Sequence, residues 1–528
     1  MIASLRARGT AAPRPGTYTS VSDAVGVGGR RLGRHAPATA PDLTPCPSRC
    51  IAMSRSHAAL SLFGGALLAM LPVMASASDK RADTAVVAAP SAKSTAAATT
   101  LPAVAVRAQP LAAGCDVFYG AGFALPSALT SATDIPALER PKKGVGVREP
   151  STGACIVRAT DHKLDYPPGG FLRNDYSRRE AFNADNSRYL AFSPDGYWHL
   201  YDAANFAHLA VLKGLAGDAE PQWNPTDPRR LEFLPLNGGT TLKENDVRSN
   251  SSRDIADLKK QLPSWGHDAE HIWTKSEGSP SADGRYWGFQ VENGKFELLG
   301  FMVWDQVEHR IVGSREDHNR PDHTSMTPSG RWVTMSNDDG GTWAWSPDFT
   351  RKKKLHHKSE HSDLGIGADG HDVYVSIDYQ SNNGDVFFID IDACPSVAAA
   401  AADAPACPRT VLFASYVNGS VGAMHFSGKA FAKPGWVLVS AYGTTRSRDD
   451  SMPWFGDRIF ALELKPHPRA LAIAFHRSIG VKGLGYWSEP QATVNRDFTR
   501  IQYSSSWLST DDADIEAYQV LLPADAIR

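Results

Sequence analysis

The 528-residue chain reads as an all-β protein, a seven-bladed β-propeller. Three observations point there. A phrase made of a tight turn and an alternating strand recurs seven times. Most copies are followed by a second strand that ends near an acidic residue. A lone strand near Cys155 has no hairpin partner close by, whereas another strand stands at the C terminus. Six or eight blades, or two β-sandwiches, are the alternatives.

The first 110 residues are set apart by composition. Residues 1–77 carry eight Arg and only Asp23 and Asp42, leaving 47 basic against 55 acidic side chains from residue 78 onward. An acidic body argues against nucleic acid as a partner, because phosphate contacts need a basic face. Residues 53–77 read "MSRSHAALSLFGGALLAMLPVMASA", a basic start, an apolar run and a small-residue site, which is the pattern of a secretory signal. Translation is expected to start at Met53, with residues 1–52 as upstream sequence. The apolar run is broken by Gly and Pro72 and is short for a membrane span, so the mature chain is expected to carry no integral membrane segment and to be periplasmic or secreted. Residues 78–110 are an Ala, Thr, Ser and Pro linker that lacks the apolar surface to fold.

Residues 111–150 form a Pro- and Gly-rich N-terminal arm, and 151–528 the propeller. Four Cys follow the signal: Cys115, Cys155, Cys394 and Cys407. Cys394 and Cys407 flank the Ala-rich "CPSVAAAAADAPAC" and are expected to staple it. Cys115 and Cys155 then pair by elimination, one of three pairings that four Cys allow. An exported chain makes structural disulfides the expectation, and no spacing suggests a zinc site.

The seven openings are "NSRYLAFS" at Asn186, "DPRRLEFL" at Asp227, "DGRYWGFQ" at Asp283, "SGRWVTMS" at Ser329, "DGHDVYVS" at Asp369, "KPGWVLVS" at Lys433 and "DFTRIQYSS" at Asp497. Turn residues followed by period-two alternation describe strands entered from tight turns. Spacings run from about 40 to about 65 residues. The longer ones are assigned to insertions, one over 240–270 with a short helix from Ile255 to Gln261. The run Arg351–Lys354 reads as a solvated loop. The lone "CIVRAT" at Cys155 is expected to pair with "EAYQVLLP" at Glu516 and close the ring, which removes two unpaired sheet edges.

In a propeller, the residues ahead of each opening converge on the mouth of the central channel. Here they include Glu180, Glu220, Gln222, Glu277, Asp322, His323, His361, Asp363, His425, Glu489 and Gln491. Three His from three consecutive blades among carboxylates suit a divalent cation (Zn, Mn or Fe) or acid–base work. A His in such a place can equally cap a turn. His267 and His271 form a further pair, spaced to share a face if that segment were helical. Tyr442, Arg446 and Arg448 lie in a loop able to take an anion, and Tyr486 and Trp487 are placed to stack on sugar rings.

The phrases "DHTSMTPSGRWV", "HSDLG", "HFSGKAFAKPGWVLVS" and "EPQATVNRDFTRIQYSSSW" resemble exported bacterial β-propellers of the TolB/WD40-like kind, over roughly residues 175 to 522. In general style they are similar to oligogalacturonate lyases. That resemblance implies a divalent metal on His323, His361, His425 and Gln491 and elimination across acidic sugars. Arg446 or Arg448 would steer the acid group, His271 would serve as base, and Tyr442, Tyr486, Trp487 and Glu489 would bind substrate. The sequence departs from those lyases at "SEPQATV", which has Glu489 and Gln491 but no His. Two readings stay open. One is a metal-assisted polysaccharide or oligosaccharide lyase. The other is a non-catalytic propeller that binds a glycan or a protein partner on the channel face.

Overall fold

A computed structural model describes residues 112–528 apart from 113, 128–129, 133, 167–169, 339, 480–484 and 512–513. The expected signal segment and linker lie outside the described residues. Among these residues the strands form seven sheets, giving the seven-bladed propeller. Blade 1 holds Arg188–Phe192, Tyr197–Asp202 and His208–Ala216, and bridges Arg173–Phe192 and Phe182–Tyr189 mark its interrupted first strand. Blades 2 to 6 begin with first strands Gln222–Trp223, His271–Trp273, His323–Met326, Ser362–Ile366 and Ala423–Ser427, each antiparallel to its opening strand.

Blade 7 is built from both ends of the chain. Thr493–Val494, Arg500–Ser505 and Glu516–Leu521 come from the C-terminal side, and Cys155–Arg158 and Gly146–Arg148 complete the sheet. Cys155 sits opposite Leu521 and Arg158 opposite Tyr518, so the expected closing pair forms. The expectation that Cys155–Arg158 has no near partner is corrected: Gly146–Arg148 pairs with it across a short turn. That strand is only three residues of "GVR", too short to show alternation.

Six of the seven openings, all but that at Asp227, enter their strands through a left-handed turn residue. Asn186, Gly284, Gly330, Gly370, Gly435 and Phe498 all have positive φ. Gly330 is the tightest case, since a Cβ there would meet the Tyr286 ring at 2.4 Å. Cores lie between blades, for instance Val373, Val375 and Ile377 of blade 5 against Met424, Phe426 and Val439 of blade 6. The arm joins them: Leu125 packs in the cluster of Ile156, Ile473 and Val520, and Arg477 of the blade 6–7 link pairs with Glu149.

Two expectations, one of an insertion and one of a loop, are corrected. Residues 240–270 are not an insertion but the outer strands Thr241–Asp246 and Ser251–Asp257, and the helix shrinks to a single 3-10 turn at Lys259–Gln261. Ser251–Asp254 are exposed, so this outermost strand carries polar residues and hides its period. Arg351–His356 is likewise a strand rather than a loop. Lys353 within it is buried, with its ammonium 4.2 Å from the Trp332 ring centre. Both expected disulfides are present, Cys115–Cys155 and Cys394–Cys407. No helix among the described residues is long and apolar enough to cross a membrane.

Candidate functional site

The first strands place side chains of several blades around one cation. Arg178, in the turn that interrupts the first strand of blade 1, is almost fully buried. Its Nη1 lies 3.0 Å from Nδ1 and 2.9 Å from Nε2 of His323 in blade 4. The same guanidinium pairs with Glu277 ahead of the blade 3 opening and donates to the Ser362 carbonyl of blade 5. Burial, with Arg178 beside it, holds His323 down at about 4, so the ring is neutral and offers a lone pair. Burial pushes the Glu277 carboxyl up to about 7, against the pull of Arg178. Asp322, at the exposed edge, stays well below the usual carboxylate range because His323 and Lys275 outweigh its own desolvation.

A second group lies at blades 5, 6 and 7. The rings of His361 and His425 are 4.5 Å apart between centres, and His425 stacks on Tyr442 at 4.7 Å and 9°. His425 Nε2 is 2.8 Å from Glu489 Oε2, while its Nδ1 is buried and without a partner. His361 Nδ1 is 3.0 Å from the Met424 carbonyl. A carbonyl only accepts, so Nδ1 carries the proton and Nε2 is left as the acceptor. Burial holds both rings at about 3 and raises Glu489 to about 7, the latter tempered by His361 and Tyr442. Neutral imidazoles beside a carboxyl near half-protonation form an acid–base group.

The other residues expected at the site are more scattered. Gln491 is fully buried and accepts a hydrogen bond from Arg173 at 2.8 Å. Trp487 lies under the same guanidinium at 4.2 Å, and Tyr486 is exposed above it. His271 is on a strand, not a helix; its ring stacks on Phe296 at 4.0 Å and Nδ1 meets the Asn237 carbonyl. None of those contacts is shared with His323, His361 or His425. His267 is exposed beside Asp268. Arg446 pairs with Asp134 at 3.0 Å, and Arg448 is exposed in the same loop.

Several ring residues are spent on holding neighbouring blades together. Glu220 accepts the Thr274 and Ser276 amides, Gln222 donates to Gly278, and Glu180 pairs with Arg496. Asp363 is buried against Lys429 at 3.1 Å. The three His are also not in one register. Thr327 and Gly367 close the turns of blades 4 and 5 on Trp332 and His371, so Asp363, not His361, stands where His323 does. Sequence reasoning missed Arg173, Tyr176, Arg178 and Lys275. The signal was "NDYSRRE", basic residues just ahead of an opening where acidic and His residues were being sought.

The residues implied as metal ligands do not fit a divalent ion as arranged. A guanidinium already faces both nitrogens of His323, and a second one holds the Gln491 oxygen. A dication there would meet two fixed positive charges in a low-dielectric site. Ligand atoms of His and carboxylates do gather within 4.8 Å in three places among the described residues: Glu277–Asp322–His323, His356–His357–Asp378 and Asp369–His371–Asp390.

No protein-family model matches the chain, and no curated protein matches it. Solved structures do. An oligogalacturonate lyase in complex with manganese is 14% identical, with a TM-score of 0.48, covering 72% of this chain and 97% of that one. The oligogalacturonate lyase of Vibrio parahaemolyticus is 10% identical, TM-score 0.49, over 72% and 97%. The WD40 domain of Neurospora crassa Pan2 is 11% identical, TM-score 0.40, over 69% and 94%. These likenesses are of general architecture, and no residue correspondence rests on them.

Proposed function

We propose that this is an exported propeller whose channel mouth binds an acidic saccharide and eliminates across it. The observation that carries the reading is the group of His361, His425, Tyr442 and Glu489, with His361 Nδ1 pinned to Met424 and Glu489 on His425 at 2.8 Å. The neutral Nε2 of His361 would take the proton alpha to a uronate carboxylate. As the new C=C forms, the bond to the leaving glycosidic oxygen breaks, and the Glu489 carboxyl returns a proton to that oxygen. Lys275, half-exposed and held loosely by Asp322 at 3.4 Å, is the cation suited to the substrate carboxylate. No step runs through a metal. The signal-like residues 53–77 and the two disulfides support export.

Binding of a glycan or protein partner without turnover is the second reading. It is favoured by Arg178, which ties four blades and makes the lining rigid and saturated. The experiment is to incubate the mature protein with uronate polymers and follow the ultraviolet absorbance of unsaturated uronate ends. Turnover that falls at least ~100-fold in His361→Ala and Glu489→Gln supports the lyase. Saturable binding with no unsaturated product would move the assignment to the binding module.

A further inference from the structure

A different cluster lies outside the channel mouth, where the last strand of blade 4 meets blade 5. His356 ends the strand Arg351–His356, and Asp378 ends the strand Asp372–Asp378. His356 is 5% exposed, and its Nε2 has no hydrogen-bond partner although it lies 3.9 Å from Asp378 Oδ2. Its Nδ1 meets the Lys358 carbonyl at 3.2 Å, which places the proton on Nδ1 and the lone pair on Nε2. The exposed His357 brings its Nε2 to 3.7 Å from Asp378 Oδ1. The two rings are 4.4 Å apart, and Phe387 backs His356 at 5.1 Å.

We propose that His356 Nε2, His357 Nε2 and Asp378 bind one divalent cation of the Zn2+ class, with water in the fourth position. Two imidazoles and a carboxylate are a borderline donor set, which favours Zn2+ or Co2+ over Mg2+ or Ca2+. The spacing fits. With metal–ligand bonds of about 2.0–2.1 Å, a tetrahedral ion holds its ligand atoms roughly 3.4 Å apart. His356 Nε2 is 3.9 Å from Asp378 Oδ2 and His357 Nε2 3.7 Å from Oδ1, with the ligand atoms of the three residues within 4.8 Å of one another, so an ion draws them in by up to about 1.4 Å. The buried lone pair of His356 is otherwise an unmet acceptor, which a cation satisfies. The Lys358 carbonyl supplies the outer hydrogen bond that fixes the ring, as in known metal–His sites.

One resident cation opposes this. Arg409 Nη1 is 2.6 Å from Asp378 Oδ2. Arg409 is one-third exposed and already reaches Asp385 at 3.4 Å, so it has a second carboxylate to turn to when the ion enters. The site joins two blades, so an ion there clamps blade 4 to blade 5. It is independent of the lyase reading.

The test is Co2+ and Zn2+ titration of the chelator-stripped mature protein. The expected result is about one equivalent of Co2+ with the strong visible bands of a four-coordinate ion, displaced by Zn2+. His357→Ala, at an exposed position, loses the bands while keeping the melting temperature of the stripped protein. Glu277→Gln and His371→Ala, in the other two clusters, keep them. The proposal is overturned if the wild-type protein shows no bands, if His357→Ala retains them, or if either control variant removes them.

Discussion

Nη1 of Arg178 is equidistant, within a tenth of an ångström, from the two ring nitrogens of His323. A permanent cation thus stands at the place where the resemblance to lyases implied a metal. It gathers Glu277, His323 and the Ser362 carbonyl of three other blades. A dication would have to compete with a charge that is covalently tethered.

Arg178→Met is accordingly expected to destabilise the fold by about 3 kcal/mol, because Glu277 is left half-buried without its partner. Adding Glu277→Gln should recover part of that loss. Urea denaturation checks both. A single variant as stable as the wild type would show that Arg178 is not a bolt between blades.

Stability near the mouth should depend on pH in two opposing ways. His361 and His425 are held at about 3 by burial, below their ordinary 6.5. The unfolded chain takes up protons first as pH falls, so their contribution is lost as pH drops from 6.5 toward 3. Glu489 is raised to about 7 from 4.5. There the folded state holds the proton longer, so stability is lost as pH rises from 4.5 to 7, by up to about 3 kcal/mol. Glu489→Gln removes only the second effect. Its melting temperature should therefore climb more steeply than the wild type's between pH 4.5 and 6.5, as differential scanning fluorimetry would reveal.

The fold was legible because each blade repeats its turn chemistry, so seven openings and the closing pair could be counted from residues alone. Outer strands were harder. Ser251–Asp257 is exposed or half-exposed throughout, and an exposed strand has no reason to alternate; Arg351–His356 hides its buried face behind a basic residue, Lys353. The site was half legible. His361, His425, Tyr442 and Glu489 do come together, as their positions ahead of or after the openings suggested. Arg178 was marked only by its place in "NDYSRRE" ahead of an opening, since residue type alone does not tell a buried arginine from a solvated one. The separation of His323 from the His361–His425 pair follows from a two-residue offset in register, which only the pairing discloses.

Glu149 and Arg477 form a doubly bonded pair with Oε2–Nη1 at 2.6 Å and Oε1–Nη2 at 3.2 Å, both side chains almost wholly buried. Glu149→Gln leaves the guanidinium without its counter-charge and should cost about 3–5 kcal/mol. Thermal melts of the variant check this. A loss under about 1 kcal/mol would mean that the arm is not anchored through this pair.

The two disulfides should differ modestly in what their removal costs. Cys115–Cys155 closes 40 residues and Cys394–Cys407 closes 13. Chain entropy predicts about 4 and about 3 kcal/mol respectively. Paired Cys→Ser variants compared by urea midpoint would test the order. A larger loss at Cys394–Cys407 would show that this blade 5 loop, whose Val397–Ala398 pairs with blade 4, also holds the two blades together.

The strand Cys155–Arg158 lies between Gly146–Arg148 and Glu516–Leu521. Cys155–Arg158, paired early with Gly146–Arg148, therefore waits with its other edge open for Glu516–Leu521. Apart from Val397–Ala398, which joins blade 4 from the blade 5 loop, the other six sheets are built from consecutive strands, whereas blade 7 waits for residues 493–521. A truncated product would keep one raw edge on its first-made hairpin, a mark by which a protease could tell unfinished copies from finished ones.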